Sequence, residues 1–233
     1  MNDTLTFSGW FSTETLSEDA QRKVAEIAEN VDSVYISENS IEIESVLQRP
    51  DRKAYQHIVQ FLSDLARQVG AVDGQATCDD VMHSARLEYF TIRDNKLYCQ
   101  VGQVRKSALQ LLTQANAVNS DLITYQGRVV YPLVSSIIHL RLKQLFEKYR
   151  LTSSIDHQGL EVSYAGRDAN RWYLEFLKEF AQVVPDARGD ILCRIEAMNG
   201  EQEFEFYYLQ EGRVYWQEGK VVRGPQIEVL PKI

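Results

Sequence analysis

The sequence predicts two tandem α+β domains, and three observations carry that expectation. Phe204 to Arg223 (FEFYYLQEGRVYWQEGKVVR) repeats Leu87 to Lys106 (LEYFTIRDNKLYCQVGQVRK) 117 residues apart, with Glu88/Glu205, Tyr98/Tyr215, Gln100/Gln217, Gly102/Gly219 and Val104/Val221 identical. Ahead of each copy the apolar residues of a helix keep the same phase, as Ile58, Phe61, Leu62, Leu65 and Val69 and again as Tyr173, Phe176, Leu177, Phe180 and Val184. Composition fits: 233 residues with 44% hydrophobic and 25% charged side chains suit two domains with a core each.

Taken in order, Leu5 to Ser12 alternates as a strand. Ser17 with Glu18 and Asp19 opens a helix whose apolar face runs through Ala20, Val24, Ile27, Ala28 and Val31. VYISENSIEIES reads as a hairpin around Glu38-Asn39-Ser40. Pro50 and Asp51 introduce the second helix, Gly70 stops it, and Gly74 to Cys78 is again a strand.

The repeated stretch then forms a hairpin closed at Asp94-Asn95 and at Glu211-Gly212, where positive φ is tolerated. The simple register sets Leu209 against Val214, Tyr208 against Tyr215 and Tyr207 against Trp216, with Ile92/Leu97, Thr91/Tyr98 and Phe90/Cys99 as counterparts. Alternation assigns Leu209, Val214, Tyr207 and Trp216 to the core. It puts Tyr208, Tyr215, Phe206 and Gln217, with Tyr89, Thr91, Tyr98 and Gln100, on a second, amphipathic face. Gly102 and Gly219 are read as a further turn before a short third strand.

Residues 107–120 fit a helical connector through Ala108, Leu111, Leu112 and Ala115. The second copy follows with a strand over Leu122 to Tyr131, a helix from Ser135 to Tyr149, a hairpin around Gln158-Gly159, a helix after Arg167 and a strand at Gly189 to Cys193. The boundaries are therefore 1–106, 107–120 and 121–233. Strand, helix, hairpin, helix, strand resembles a ferredoxin-like βαββαβ unit with an added C-terminal β-hairpin, in which helices cover one face of an antiparallel sheet. The tyrosine face is left to pack on the other copy or to meet a partner.

The net charge is −8, with 11 basic and 17 acidic side chains in residues 1–116 (−6) and 14 and 16 in residues 117–233 (−2). Such a surface favours basic partners and disfavours nucleic acid. Cys78, Cys99 and Cys193 cannot all pair, and Cys78 and Cys193 read as buried thiols in a reducing compartment. With neither a leader-like segment nor a long apolar run, a cytoplasmic location and no membrane association are expected.

The chain contains no GxSxG, GxxxxGK, GxGxxG, HExxH or CxxC. Cys78, Asp79, Asp80 and His83 gather metal-ligand types, but a straight strand scatters them over two faces, and Cys193, Arg194, Ile195 and Glu196 do not repeat the set. The four histidines share no spacing. No catalytic residue, cofactor or metal is assigned.

The reading is a non-enzymatic, acidic macromolecule-binding protein (adaptor, inhibitor or immunity-type) that acts on a basic protein target. Its candidate contacts are the period-two ladder Glu38, Glu42 and Glu44, the face tyrosines Tyr89, Tyr98, Tyr208 and Tyr215, and Trp172 as the anchor among Trp10, Phe11, Trp172 and Trp216. The alternative is an enzyme or small-ligand binder that uses Glu88 and Glu205 as paired carboxylates in a cleft between the repeats. Self-association stays open.

Overall fold

The computed structural model describes residues 4–13, 15–48, 51–69, 72–114, 117, 120–151, 155–156, 159–168, 170–197 and 202–230. The chain divides into two compact units, Met1–Val104 with Val221–Ile233, and Arg105–Lys220.

The first unit begins with β1 (Thr4–Ser12), α1 (Glu18–Ile27), β2 (Val34–Ile36), β3 (Ser40–Gln48), α2 (Arg52–Gln68), β4 (Asp73–Asp80) and the single turn α3 (Val81–Ser84). It continues with β5 (Arg86–Arg93) and β6 (Lys96–Lys106). Its strands lie side by side as β2-β3-β1-β4-β5-β6, and every pair with a resolved register is antiparallel. Ser17 accepts a hydrogen bond from the Ala20 N–H and Asp51 one from Ala54, so both helices start where their capping side chains take up an orphan donor. Phe7, Phe11, Ile41, Ile43, Phe90 and Ile92 point from the strands into a core filled by Val24, Ile58, Phe61, Leu62 and Leu65. Each such side chain contributes about 1.5–3 kcal/mol on leaving water.

The second unit holds β7 (Gln110–Leu111), β8 (Ser120–Val130), α4 (Ser136–Tyr149), β9 (Ile155–Asp156), β10 (Gly159–Gly166), α5 (Trp172–Val183), β11 (Arg188–Ala197), β12 (Gln202–Gln210) and the first half of β13 (Arg213–Glu228). The strand order is β9-β10-β8-β11-β12-β13, with β7 pairing on β13. Its core packs Tyr173, Phe176, Leu177 and Phe180 of α5 and Leu142, Leu145 and Phe146 of α4 over Ile123, Tyr125, Ile191 and Leu209.

Both hairpins have the expected register, with Thr91 opposite Tyr98 and Tyr208 opposite Tyr215. Asp94 (φ 51°), Asn95 (φ 57°), Glu211 (φ 52°) and Gly212 (φ 70°) all take positive φ, the signature of a tight turn whose twist matches its strands.

The ferredoxin-like tandem α+β expectation is corrected. The protein is mostly antiparallel sheet, 50% strand against 28% helix. Gly102 and Gly219 are not turns: β6 runs unbroken for 11 residues and β13 for 16. Glycine at 102 serves close approach instead, since a Cβ there would come within 3.0 Å of both the Tyr89 ring and Val221. Nor do the described residues 107–114 form the expected helical connector, because Gln110 and Leu111 form strand β7. Its apolar residues suited a helix phase, yet the sheet edge beside β13 offered those backbone groups ready partners. Pro50, Gly70, Ala115, His157 and Gln158 lie outside the described residues.

The first unit is built from two separate stretches of chain, and the second from the single stretch between them. In the first, the Gln100 side chain donates to the Gly224 carbonyl (2.7 Å), and the Val229 N–H donates to Leu97 (2.8 Å). In the second, Gln217 donates to the Ser107 carbonyl (2.6 Å), and the Leu112 N–H donates to Val214 (2.9 Å). The segment that follows each copy of the meander thus completes the sheet of the other unit. Among the described residues, no helix is long and apolar enough to cross a membrane.

A chain ending at Lys220 is expected to lose amide protection in β5 and β6 while β8 and β11 keep theirs, as read by hydrogen–deuterium exchange. Equal loss in both units would contradict this assignment of the closing strand.

Candidate functional site

Register places functional side chains more firmly than exposure alone. In the first unit Tyr35 lies opposite Glu42, Glu42 opposite Trp10, Trp10 opposite Gln75, Gln75 opposite Thr91, and Thr91 opposite Tyr98. Directly opposed residues share a face, so these six form one row across six strands, about 24 Å long at the usual strand spacing. The next row reads Glu44, Ser8, Thr77, Tyr89 and Gln100. Both rows lie on the face opposite the core residues Phe7, Ile41, Ile43, Ala76 and Phe90.

Coverage changes along the row. Tyr35 is 60% exposed, Trp10 52%, and neighbouring Val46 63%, with Glu42 and Glu44 exposed between them. Tyr89 and Tyr98 are half-buried, and each already holds a cation of its own unit: Arg223 sits 4.2 Å from the Tyr89 ring centre and Arg93 4.7 Å from that of Tyr98. Burial pushes the Tyr89 hydroxyl up, against the pull of Arg223. In the second unit Lys106 lies 3.9 Å over the Phe206 ring and donates to the Tyr208 hydroxyl at 3.0 Å, while Tyr215 is half-buried opposite Tyr208 and Leu111. The face tyrosines are therefore in large part occupied by the protein's own cations. The aromatic and acidic groups that still meet water are Trp10, Tyr35, Glu42 and Glu44.

Glu38 belongs to the turn between β2 and β3, not to the row, and its carbonyl accepts from the Leu16 N–H at 2.7 Å. Trp172 is only partly exposed: it packs against Tyr149 (6.4 Å between ring centres) and edge-on against Tyr164 (5.4 Å). Trp10, not Trp172, is the tryptophan that stands out from the surface. A signal for it was present, because consecutive residues of a strand face opposite ways and Trp10 and Phe11 cannot both enter one core. Tyr35, between the inward Val34 and Ile36, carries the same signal and was missed.

The repeated glutamates sit on the helix side of their own sheets. Glu88 accepts from the Tyr55 hydroxyl at 2.5 Å and from Arg86. Burial first, and then Glu88, raise the Tyr55 pKa. Glu205 accepts from Arg171 and from the Tyr207 hydroxyl at 2.7 Å, and Arg171 also donates to Tyr207 at 2.7 Å. Arg171 is 1% exposed. Burial opposes its charge, but Tyr207 and Glu205 outweigh that, so the guanidinium titrates above its ordinary value.

Arg171 takes a left-handed backbone (φ 57°) ahead of α5, and Asp168 supplies the cap. Asp168 accepts from the Trp172 N–H (2.8 Å), the Tyr173 N–H (3.3 Å) and the Tyr125 hydroxyl (2.9 Å). Desolvation still holds its pKa above the usual carboxylate value, against the hydrogen bonds from Tyr125, Tyr173 and Trp172.

Among the described residues no group of three or more His, Cys, Asp or Glu is placed to hold a metal ion. Cys78, Cys99 and Cys193 are free thiols; burial pushes Cys99 up to about 11 and the other two higher still. None is a thiolate at neutral pH. Compared with protein-family models, curated proteins and solved structures, the chain finds no match.

Arg171→Met is expected to cost about 3–5 kcal/mol, because it removes the cation of a buried ion pair and leaves Glu205 with the Tyr207 hydroxyl alone. Tyr55→Phe should cost about 1–2 kcal/mol, since Glu88 keeps Arg86. Urea unfolding of both variants checks the ranking.

Proposed function

We propose that the protein is a non-enzymatic binding module, of the adaptor, inhibitor or immunity kind, whose first unit takes a basic protein segment on its open sheet face. The observation that carries this reading is the exposed group Tyr35, Glu42 and Trp10, adjacent in one cross-strand row with Glu44 beside it. An aromatic face attracts Lys or Arg through its quadrupole, and a carboxylate at its rim adds a charge-assisted hydrogen bond. The same chemistry already operates within this unit, where Arg223 and Arg93 lie over Tyr89 and Tyr98.

Charge distribution supports the reading as well. The first half carries −6 of the net −8, so a basic ligand is drawn toward the half that holds the row. Large rigid aromatics such as Trp10 supply contact area at low entropic cost, which makes them effective anchors. The first-unit tyrosines, screened by arginines, are set aside as primary contacts.

Titration with a short Arg- and Leu-rich peptide should shift the emission of exposed Trp10 to the blue. Glu42→Lys/Glu44→Lys should weaken binding about tenfold or more, equivalent to at least ~1.4 kcal/mol. Glu38→Lys should have little effect, and an acidic peptide of equal length should not bind. Unchanged affinity in the double variant, or equal binding of the acidic peptide, would overturn the proposal.

A further inference from the structure

Helix α4 presents a surface that its own unit does not need. It is anchored by Leu142, Leu145 and Phe146, with Phe146 edge-on to Phe176 at 5.2 Å. Its other side is apolar too: Ile137 is 68% exposed and Leu140 57%, with Leu133 (83%) just ahead of the Ser135 cap. The spacing of three sets Ile137 and Leu140 on one side of the helix, and the exposed Leu133 lies on the non-helical segment that leads into it. Arg141 and Lys143 are exposed and about 200° apart on the helix, so they flank that pair on either side. In a chain of net charge −8, α4 carries Arg141, Lys143 and Lys148 against Glu147 alone. Lys148 is engaged with Glu179 at 2.6 Å, which leaves Arg141 and Lys143 as the outward cations.

The open face of the first unit shows the complementary character. It offers Trp10, Tyr35 and Val46 as exposed apolar surface, with Glu42 and Glu44 between them. An exposed sheet face and a helix with an exposed apolar side each offer what the other can cover. Opposite charges border the two surfaces. Trp10, Tyr35 and Val46 on the one side and Ile137 and Leu140 on the other are all exposed.

We propose that α4 of one copy docks on the open sheet face of the first unit of a second copy, with Arg141 and Lys143 toward Glu42 and Glu44 and Ile137 and Leu140, with Leu133 just ahead of them, against Trp10, Tyr35 and Val46. This names a partner for the face proposed above and rests on that reading. The two patches differ, so the contact is heterologous and propagates head to tail. One helix on one sheet face is a small interface, and its affinity falls at the micromolar end.

Sedimentation velocity over a concentration series tests it. The wild-type mass should rise with concentration above the 26.8 kDa of the single chain. Glu42→Lys/Glu44→Lys and Ile137→Ser/Leu140→Ser should each stay monomeric alone. Mixed in equal amounts they should form a dimer and nothing larger, because the intact helix of the first fits the intact face of the second while the remaining pair of patches is disabled. That dimer also shows that both variants are folded. Variants that still self-associate alone, or a mixture that stays monomeric, would overturn the proposal. A wild type that stays monomeric yet binds the basic peptide would end self-association and leave the binding face standing. Loss of both would end both readings. Co-flotation of the monomeric wild type with phosphatidylserine vesicles, abolished by Ile137→Ser/Leu140→Ser, would assign α4 to an anionic lipid surface instead.

Discussion

The two-residue period of the strands, held in register by two tight turns, is the constraint on which the rest of this structure depends. A slip of one residue at Asp94-Asn95 would send Phe90 and Ile92 out of the core and Tyr89 and Thr91 into it. A slip in β1 would exchange Phe7 and Phe11 for Ser8 and Trp10. A slip in β3 would bury Glu42 and Glu44 in place of Ile41 and Ile43, and that cost is prohibitive, because unpaired buried carboxylates are among the most unfavourable groups in a protein interior. The pattern that builds the core therefore also builds the exposed row, and one cannot be altered without the other.

This shared origin explains why some features were legible in the sequence. Hairpin register could be read because the turn residues and the alternation agree. Helix starts at Ser17, Asp51 and Ser135 could be read because each side chain caps its own helix. What could not be read depends on partners distant in sequence. Gly102 is ambiguous between turn and close packing until Tyr89 and Val221 are seen beside it. Leu111 and Leu112 fit a helix until strand β13 is available to pair with them. Arg171 carries no motif: its role appears only once the fold has brought Glu205, Tyr207 and Cys193 within reach.

The buried polar groups also separate structural from functional charge. Glu88 and Glu205 are repeated in sequence because each closes the same position in its unit, although the two solutions differ. One uses a tyrosine from α2 and a half-exposed arginine, the other a fully buried arginine and a tyrosine from the same strand. Repetition of the buried glutamates thus reflects a packing need here, whereas on the water-facing side of the sheet Glu42 is matched by the exposed Glu161 and Glu44 by Ser163.

The cation–aromatic pairs sharpen that distinction. Arg223 over Tyr89 and Lys106 over Phe206 occupy equivalent positions, and each cation arrives on the segment that completes the unit's sheet. The closing strands therefore bring more than backbone hydrogen bonds: they lay a positive charge over the aromatic end of each open face. In the first unit this leaves the opposite end, at β2, β3 and β1, both acidic and aromatic. A desolvated cation over an aromatic ring is worth about 2 kcal/mol or more, against roughly 0.5–1 at an exposed site. A ligand that covered Trp10 and Tyr35 would gain by excluding water from them, and the adjoining carboxylates restrict that gain to a ligand carrying positive charge. The specificity proposed for this face thus follows from where the chain places its own arginines.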